Sequence, residues 1–457
     1  MKNKTAIDMT HGPLLSKILL FSLPLMASNI LQLLFNAADV AVIGRFAGHT
    51  SLAAVGSTTS VVFLFLNLLI GMSVGVNVLI ARYIGLGNHE KEIGLSLHTA
   101  MTVALFGGAL LGGIGILASE WVLRMMSTPE DVLPLAVIYI RIYFAGTPFA
   151  ALYNYGAAAL RATGDTRRPL VFLTASGIAN VVLNLFFVVP LRMDVAGVAL
   201  ATILSQALSA ALVMRCLMQA NDELHFSWRK LCLDKRSLLD MARIGIPAGV
   251  NSTLFSLANV VLQGAINSYD SIIMAACSAA FSIENFQYTA MNSFHHACQT
   301  FCSQNLGAGE HERIGRVVRA CIICVTVVGV GIGIVFIVFA EPLMRIYNTD
   351  PAVVAAGVSR MQMMCSLYFI FGLTDVLVGA LRGCGAAIIP VVINLLGTCV
   401  LRVAWISLLD TSAVGVGWVY FAFPLTWIVT LIALIPFWIR MRRQLGIGQN
   451  KGVLRRA

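Results

Sequence analysis

Three carboxylates lie inside long apolar stretches of this 457-residue chain: Asp39, Glu284 and Asp375. A charged carboxylate at the centre of a hydrocarbon layer costs about 2.5–3.5 kcal/mol on insertion scales, so an acid retained there needs a partner and usually has a function. Asp39 follows Asn29, Gln32 and Asn36 at spacings that put all four side chains on one face of a helix, a polar stripe directed into a cleft. Asn180 and Asn184 stand one helical turn apart in a later apolar segment, where both carboxamides can face Asp39, and Thr202 beyond them can add a hydroxyl. Hard oxygens around one carboxylate suit sodium, and a single carboxylate can equally take a proton. Glu284 and Asp375, with Gln32 and Asn36, are candidates for a substrate or proton site; each of the two acids can instead serve as a buried hydrogen-bonding group. His295 and His296 read as bundle histidines in preference to a proton relay.

Other chemistry is poorly supported. No H-E-x-x-H pattern is present, which argues against a metal-dependent hydrolase. The ten cysteines lie mostly in apolar blocks, and the C-x-x-C at Cys321 and Cys324 has no accompanying ligands, so it reads as packing and no metal or cofactor is expected.

The elements that must hold these residues follow from composition. The chain is 58% hydrophobic and 11% charged, with a mean hydropathy of +0.85. Soluble domains carry about a quarter charged residues, so the solvent here is a bilayer. Apolar blocks near 14–44, 52–82, 94–118, 132–156, 169–190, 196–219, 238–266, 271–305, 316–340, 353–380, 386–409 and 414–439 predict about twelve transmembrane helices. The net charge of +10 sits in short loops between these blocks, which excludes a nucleic-acid partner and leaves small molecules and membrane lipids. With the N-terminus in the cytoplasm, twenty-four of the 31 Lys and Arg residues fall inside, including Lys2, Lys4, Arg161, Arg229, Arg382, Lys451, Arg455 and Arg456. Arg45, Arg124, Arg192 and Arg345 fall outside, and Arg141, Arg360 and Arg402 lie near span ends. Three acids against those three arginines mildly favour cationic substrates.

The chain is duplicated. IGLGNHEKEIG at 84–94 returns as LGAGEHERIG at 306–315, LRATGDTRRP at 160–169 returns as LRGCGAAIIP at 381–390, and Pro24 in the first span has its counterpart in Pro247. Six spans return each half to its starting side, so the halves are expected to be parallel repeats. The expected organisation is a cytoplasmic N-terminus at 1–13, an N-lobe at 14–219, a linker at 220–237, a C-lobe at 238–440 and a basic cytoplasmic tail at 441–457. Two lobes around a central cleft are the architecture of alternating access. Gly85, Gly87, Gly164, Gly307, Gly309, Gly383 and Gly385 suit tight turns in the inner loops.

QLLFNAADVAVIGRFAG at 32–48, the paired G-x-G loops, ALRATGDTRRP with its copy GALRGCGAAIIP, NVVLN at 180–184 and AGVALATILSQ at 196–206 together resemble the multidrug and toxic compound extrusion family over about 14–440. The resemblance implies a twelve-helix, all-α antiporter that exports organic, often cationic, compounds against Na+ or H+, with no cofactor beyond that ion. It also implies a first-lobe cation site, onto which Asp39, Asn180, Asn184 and Thr202 map as the coupling set. Asn184 stands where many relatives carry an aspartate, which removes one negative charge and leaves sodium against proton open. The resemblance implies a plasma-membrane protein acting as a monomer. The alternative function within the same superfamily is a flippase or exporter of lipid-linked or other anionic amphiphiles.

Overall fold

The computed structural model describes residues 7–87, 89–126, 128–220, 223–267, 269–408 and 415–447. Of the basic residues assigned above to the cytoplasm, Lys2, Lys4, Lys451, Arg455 and Arg456 lie outside the described residues. Helices account for nearly all of what is described, in the order α1 Leu14–Phe46, α2 Gly48–Leu86, α3 Glu90–Thr102, α4 Gly108–Met125, α5 Leu133–Ala145, α6 Thr147–Ala162, α7 Arg167–Val188 and α8 Asp194–Met218. Then follow α9 Lys235–Asn267, α10 Ser271–Gly307, α11 His311–Val338, α12 Ala340–Tyr347, α13 Pro351–Gly383, α14 Ile388–Asn394, α15 Leu401–Leu408 and α16 Gly417–Gln444. Single π-helical segments, Val103–Gly107 and Leu395–Val400, join α3 to α4 and α14 to α15.

Among the described residues, helix covers most of each of the twelve expected apolar blocks. Ten helices among the described residues are long and apolar enough to cross a membrane, and α5 with α6, bent by 45° at Gly146, makes an eleventh. The expected eighth span, α10, is long enough but too polar to qualify on hydropathy, since it carries Glu284, Asn285, Gln287, Asn292, His295, His296 and Gln299. Most of that polarity is buried against protein, so the helix does not need an apolar surface all round.

Contacts divide the chain into two compact units, one of Met1–Ile7 and Ala27–Gly249, the other of Asp8–Met26 and Val250–Ala457. The divisions fall inside α1 and α9, not in the 220–237 segment. In the first unit, the beginning of α9 lies against α2 with almost no side chain between: a Cβ on Gly71 would sit 2.2 Å from the Gly249 nitrogen, and one on Gly75 would sit 2.2 Å from the Met241 carbonyl oxygen. Small residues at this crossing let backbones touch, the device by which helices associate where lipid supplies no hydrophobic drive. In the second unit, the start of α1 is tied down by Arg313, which donates to the carbonyls of Met9, His11 and Gly12, and Phe21 meets Phe301 edge-on at 5.8 Å.

The repeat extends to backbone geometry. Gly164 and Gly385, at equivalent places, have φ of 91° and 92°. Each donates its amide to an arginine carbonyl, Arg161 at 2.9 Å and Arg382 at 2.9 Å. Only glycine occupies this conformation without strain.

Residues 223–237 are packed within the first unit. Phe226 is buried and stacks on His98 at 5.1 Å. The Nδ1–H of His98 bonds the Gly94 carbonyl, and its Nε2 accepts from the Ser227 amide; the two partners together require the neutral Nδ1–H tautomer. Asp234 accepts the Ser237 amide at 2.7 Å as α9 begins, and Ser237 holds its carboxyl below the usual range.

Candidate functional site

Asp39 is placed by the fit of α1 on α7. Phe35, one turn earlier, lies over Gly177, where a Cβ would come 1.8 Å from the ring. Gly177, Asn180 and Asn184 are spaced to share a face of α7, so the contact at Gly177 sets the register in which the two carboxamides meet Asp39. Asn184 donates one amide hydrogen to Asp39 Oδ1 at 2.5 Å and the other to Asn180 Oδ1 at 3.2 Å. Both asparagines are buried, Asp39 is half-buried, and Asn184 Oδ1 has no hydrogen-bond partner.

A charge-assisted hydrogen bond contributes about 1.5–3 kcal/mol, while removing a carboxylate from water costs several. One amide donor therefore offsets only part of the cost, and an unused carbonyl oxygen beside the carboxylate adds to it. Both deficits are relieved by one positive charge, a proton on Asp39 or a cation shared by Asp39 and Asn184 Oδ1. No cluster of three His, Cys, Asp or Glu side chains able to hold a metal occurs among the described residues.

Thr202 is not drawn into this hydrogen-bonded set: its hydroxyl donates to the Val198 carbonyl of its own helix at 3.0 Å. Of the stripe on α1, Asn29 is half-buried, whereas Gln32 and Asn36 are exposed.

In the second unit the acids are satisfied. Glu284 receives a bidentate pair from Arg360, with Nε and Nη2 each 3.0 Å from a carboxylate oxygen, and both residues are buried. Arg360 also lies over the Tyr420 ring at 5.2 Å. Asp375 accepts from Asn292 at 3.0 Å, and His295 Nδ1 is 2.7 Å from its carbonyl and 3.2 Å from its carboxylate. Glycines bring α13 onto α10 here: a Cβ on Gly379 would sit 2.7 Å from the His295 carbonyl oxygen. Arg382, read above as a cytoplasmic anchor, is buried and lies in the field of Asp375.

A model of the MatE family matches residues 24–186 and again 247–408, two copies beginning at Pro24 and Pro247. The chain belongs to the MatE family. This MatE protein is accordingly a membrane-embedded transporter and not an enzyme. It is 28% identical to the probable multidrug resistance protein YpnP of Bacillus subtilis over 90% of this chain and 93% of that one. It is likewise 28% identical to an FAD transporter of Shewanella oneidensis, over 91% and 93%. An outward-facing structure of a multidrug resistance MATE family transporter of the MOP superfamily superposes with a TM-score of 0.89 at 20% identity, covering 98% of this chain and 100% of that one, which shows the fold.

Several residues around the MatE sites escaped the sequence reading. Tyr139 and Tyr143 of α5 lie in the field of Asp39, and Tyr143 bonds the Gln206 side chain. Their one-turn spacing was the available signal. Arg360 and Arg402 were placed near span ends, yet both are buried, Arg402 completely. Arg141 does lie at the surface, beside Glu120 at 3.6 Å. The Cys321–Cys324 pair is buried with both thiols free, as packing requires.

Proposed function

We propose that this MatE protein is a secondary active transporter that exports organic compounds by alternating access in exchange for an inward-moving proton or sodium ion, with Asp39 taking up the ion. The observation that carries this reading is the hydrogen-bonded Asp39–Asn184–Asn180 set with its unpartnered Asn184 Oδ1. A site short of one positive charge can bind an ion from one side of the membrane and release it when its surroundings change. Multidrug export is supported by relatives such as YpnP and the multidrug export protein MepA of Staphylococcus aureus, 22% identical over 92% of the chain. Residence in the plasma membrane as a monomer, with both termini cytoplasmic, belongs to the same proposal. A second reading, export of anionic amphiphiles, is favoured by the arginines buried in the second unit.

The test is dye efflux from proteoliposomes under separately imposed proton and sodium gradients. Asp39→Asn should reconstitute normally, because an amide is cheaper than a carboxylate in hydrocarbon, and should lose gradient-driven efflux. Parental efflux with the parental ion dependence would remove Asp39 from coupling.

A further inference from the structure

The second unit contains a pocket lined by Phe255, Asn259, Tyr288, Tyr368, Phe371 and Trp427, among others. Its walls are a continuous aromatic array. Phe371 is 5.8 Å from Phe255, 5.6 Å from Tyr288 and 5.7 Å from Trp427, and Tyr368 is 4.9 Å from Trp427. Such a wall suits a flat conjugated ring system.

Aromatic walls alone would also welcome a cation, but here the protein's own cations already use them. The Arg402 guanidinium lies 4.6 Å from the Phe423 centroid and 5.8 Å from Phe255, and Arg360 lies 5.7 Å from Phe423. Arg402 is fully buried and its hydrogen-bond partners are neutral, Asn259 Oδ1 at 2.9 Å and Thr426 Oγ1 at 3.1 Å. Its Nε has no partner. Glu284 and Arg360 cancel, Asp375 is answered by His295 and Arg382, and among the described residues no carboxylate pairs with Arg402. Asn259 both lines the cavity and holds Arg402, so the uncompensated charge sits directly behind the wall.

We propose that this pocket is a substrate subsite for planar aromatic compounds that carry a negative charge. The ring system stacks among Phe371, Tyr368 and Trp427, and the anionic group lies toward Asn259 and Arg402. A buried charge without a counter-ion is costly, and a ligand that brings the missing charge recovers that cost on binding. The inference rests on the transport reading for its consequence, that such compounds are exported, but binding can be measured with no gradient present.

The experiment compares pyrene-1-sulfonate with pyrene-1-methylammonium, two probes of equal aromatic surface and opposite charge. Each is titrated against purified protein in phosphatidylcholine nanodiscs, with empty nanodiscs subtracted. The sulfonate should bind at least about tenfold more tightly, as expected for a unit charge acting across a poorly solvated pocket. Arg402→Gln should bring the two affinities together. Because Arg402 is buried and its loss can impair folding, Asn259→Asp provides a second arm: it keeps the guanidinium bonded, supplies the missing carboxylate and should also abolish the preference. Phe371→Ala should weaken the sulfonate probe without restoring any preference for the ammonium. Equal or tighter binding of the ammonium probe, no saturable binding of either, or an unchanged ratio in a folded Asn259→Asp protein would overturn the proposal. Efflux of a dye under an ion gradient by a protein that fails this test would leave the transport reading standing and the subsite refuted.

Discussion

Glu284 and Asp375 carry the same charge on helices packed against one another, yet their surroundings differ in kind. Glu284 is closed off by a bidentate arginine, and breaking such a buried pair from one side typically costs about 3–5 kcal/mol because a charge is left behind. Arg360→Met should therefore lower the thermal midpoint sharply, while Arg360→Met combined with Glu284→Met should recover most of the loss and retain transport. Transport lost in a stable double variant would return Glu284 to the ion or substrate pathway. The sequence identified the three intramembrane acids from their type and depth alone. It left Glu284 open because the partner lies on another helix, and no local spacing joins position 284 to position 360. Asn180 and Asn184 were legible because their one-turn spacing states that they share a face. Thr202 was expected at the same site, but a threonine hydroxyl in a helix finds an acceptor one turn back on its own backbone.

At the scale of elements, registers are set by glycines. With Gly177 under the Phe35 ring, any larger side chain must push α1 from α7 or expel the ring. Gly177→Leu should cost about 1–3 kcal/mol through overpacking and should impair ion-dependent efflux more than expression, since Asp39 lies one turn beyond the displaced contact. Normal ion dependence in that variant would show that the α1–α7 fit does not position the carboxylate. The segment after α8 offers a separate check. His98→Leu removes the acceptor for the Ser227 amide, and an unsatisfied buried amide costs about 1–3 kcal/mol. Trypsin should then cut faster after the exposed Arg229 and Lys230, and unchanged protection would show that the stacked Phe226 alone holds the segment. The sequence read this stretch as a charged linker, because its apolar residues, Phe226 and Trp228 among them, are interspersed among a larger number of polar ones. Their docking depends on a histidine far away in the chain.

For the molecule as a whole, the helical class and the duplication were open to reading because bilayer physics imposes them: every backbone polar group in lipid must be satisfied within its own segment, and a doubled gene leaves its loops behind in sequence. The matching φ angles at Gly164 and Gly385 and the two MatE matches express the same repetition. What hydropathy could not convey is that α10 spends its polarity inward, or that the compact units divide within α1 and α9, since both depend on which helices meet. Orientation rests on the distribution of basic residues, and it can be tested with two exposed positions assigned to opposite sides. In a background lacking the native cysteines, Arg229→Cys in the segment after α8 and Arg345→Cys on α12 put an exposed thiol at one position assigned to each side. Both substitutions remove a surface charge. Arg229 has no resolved partner to lose, and Arg345 loses a solvent-exposed pair with Glu341 that contributes at most about 1 kcal/mol. A membrane-impermeant maleimide applied to intact cells should label Arg345→Cys and leave Arg229→Cys unmodified, and inside-out vesicles should give the reverse. The opposite pattern would invert the molecule in its membrane, whereas labelling of both thiols from one side would mean that an even number of spans separates residues 229 and 345, and the six-span repeat would have to be redrawn.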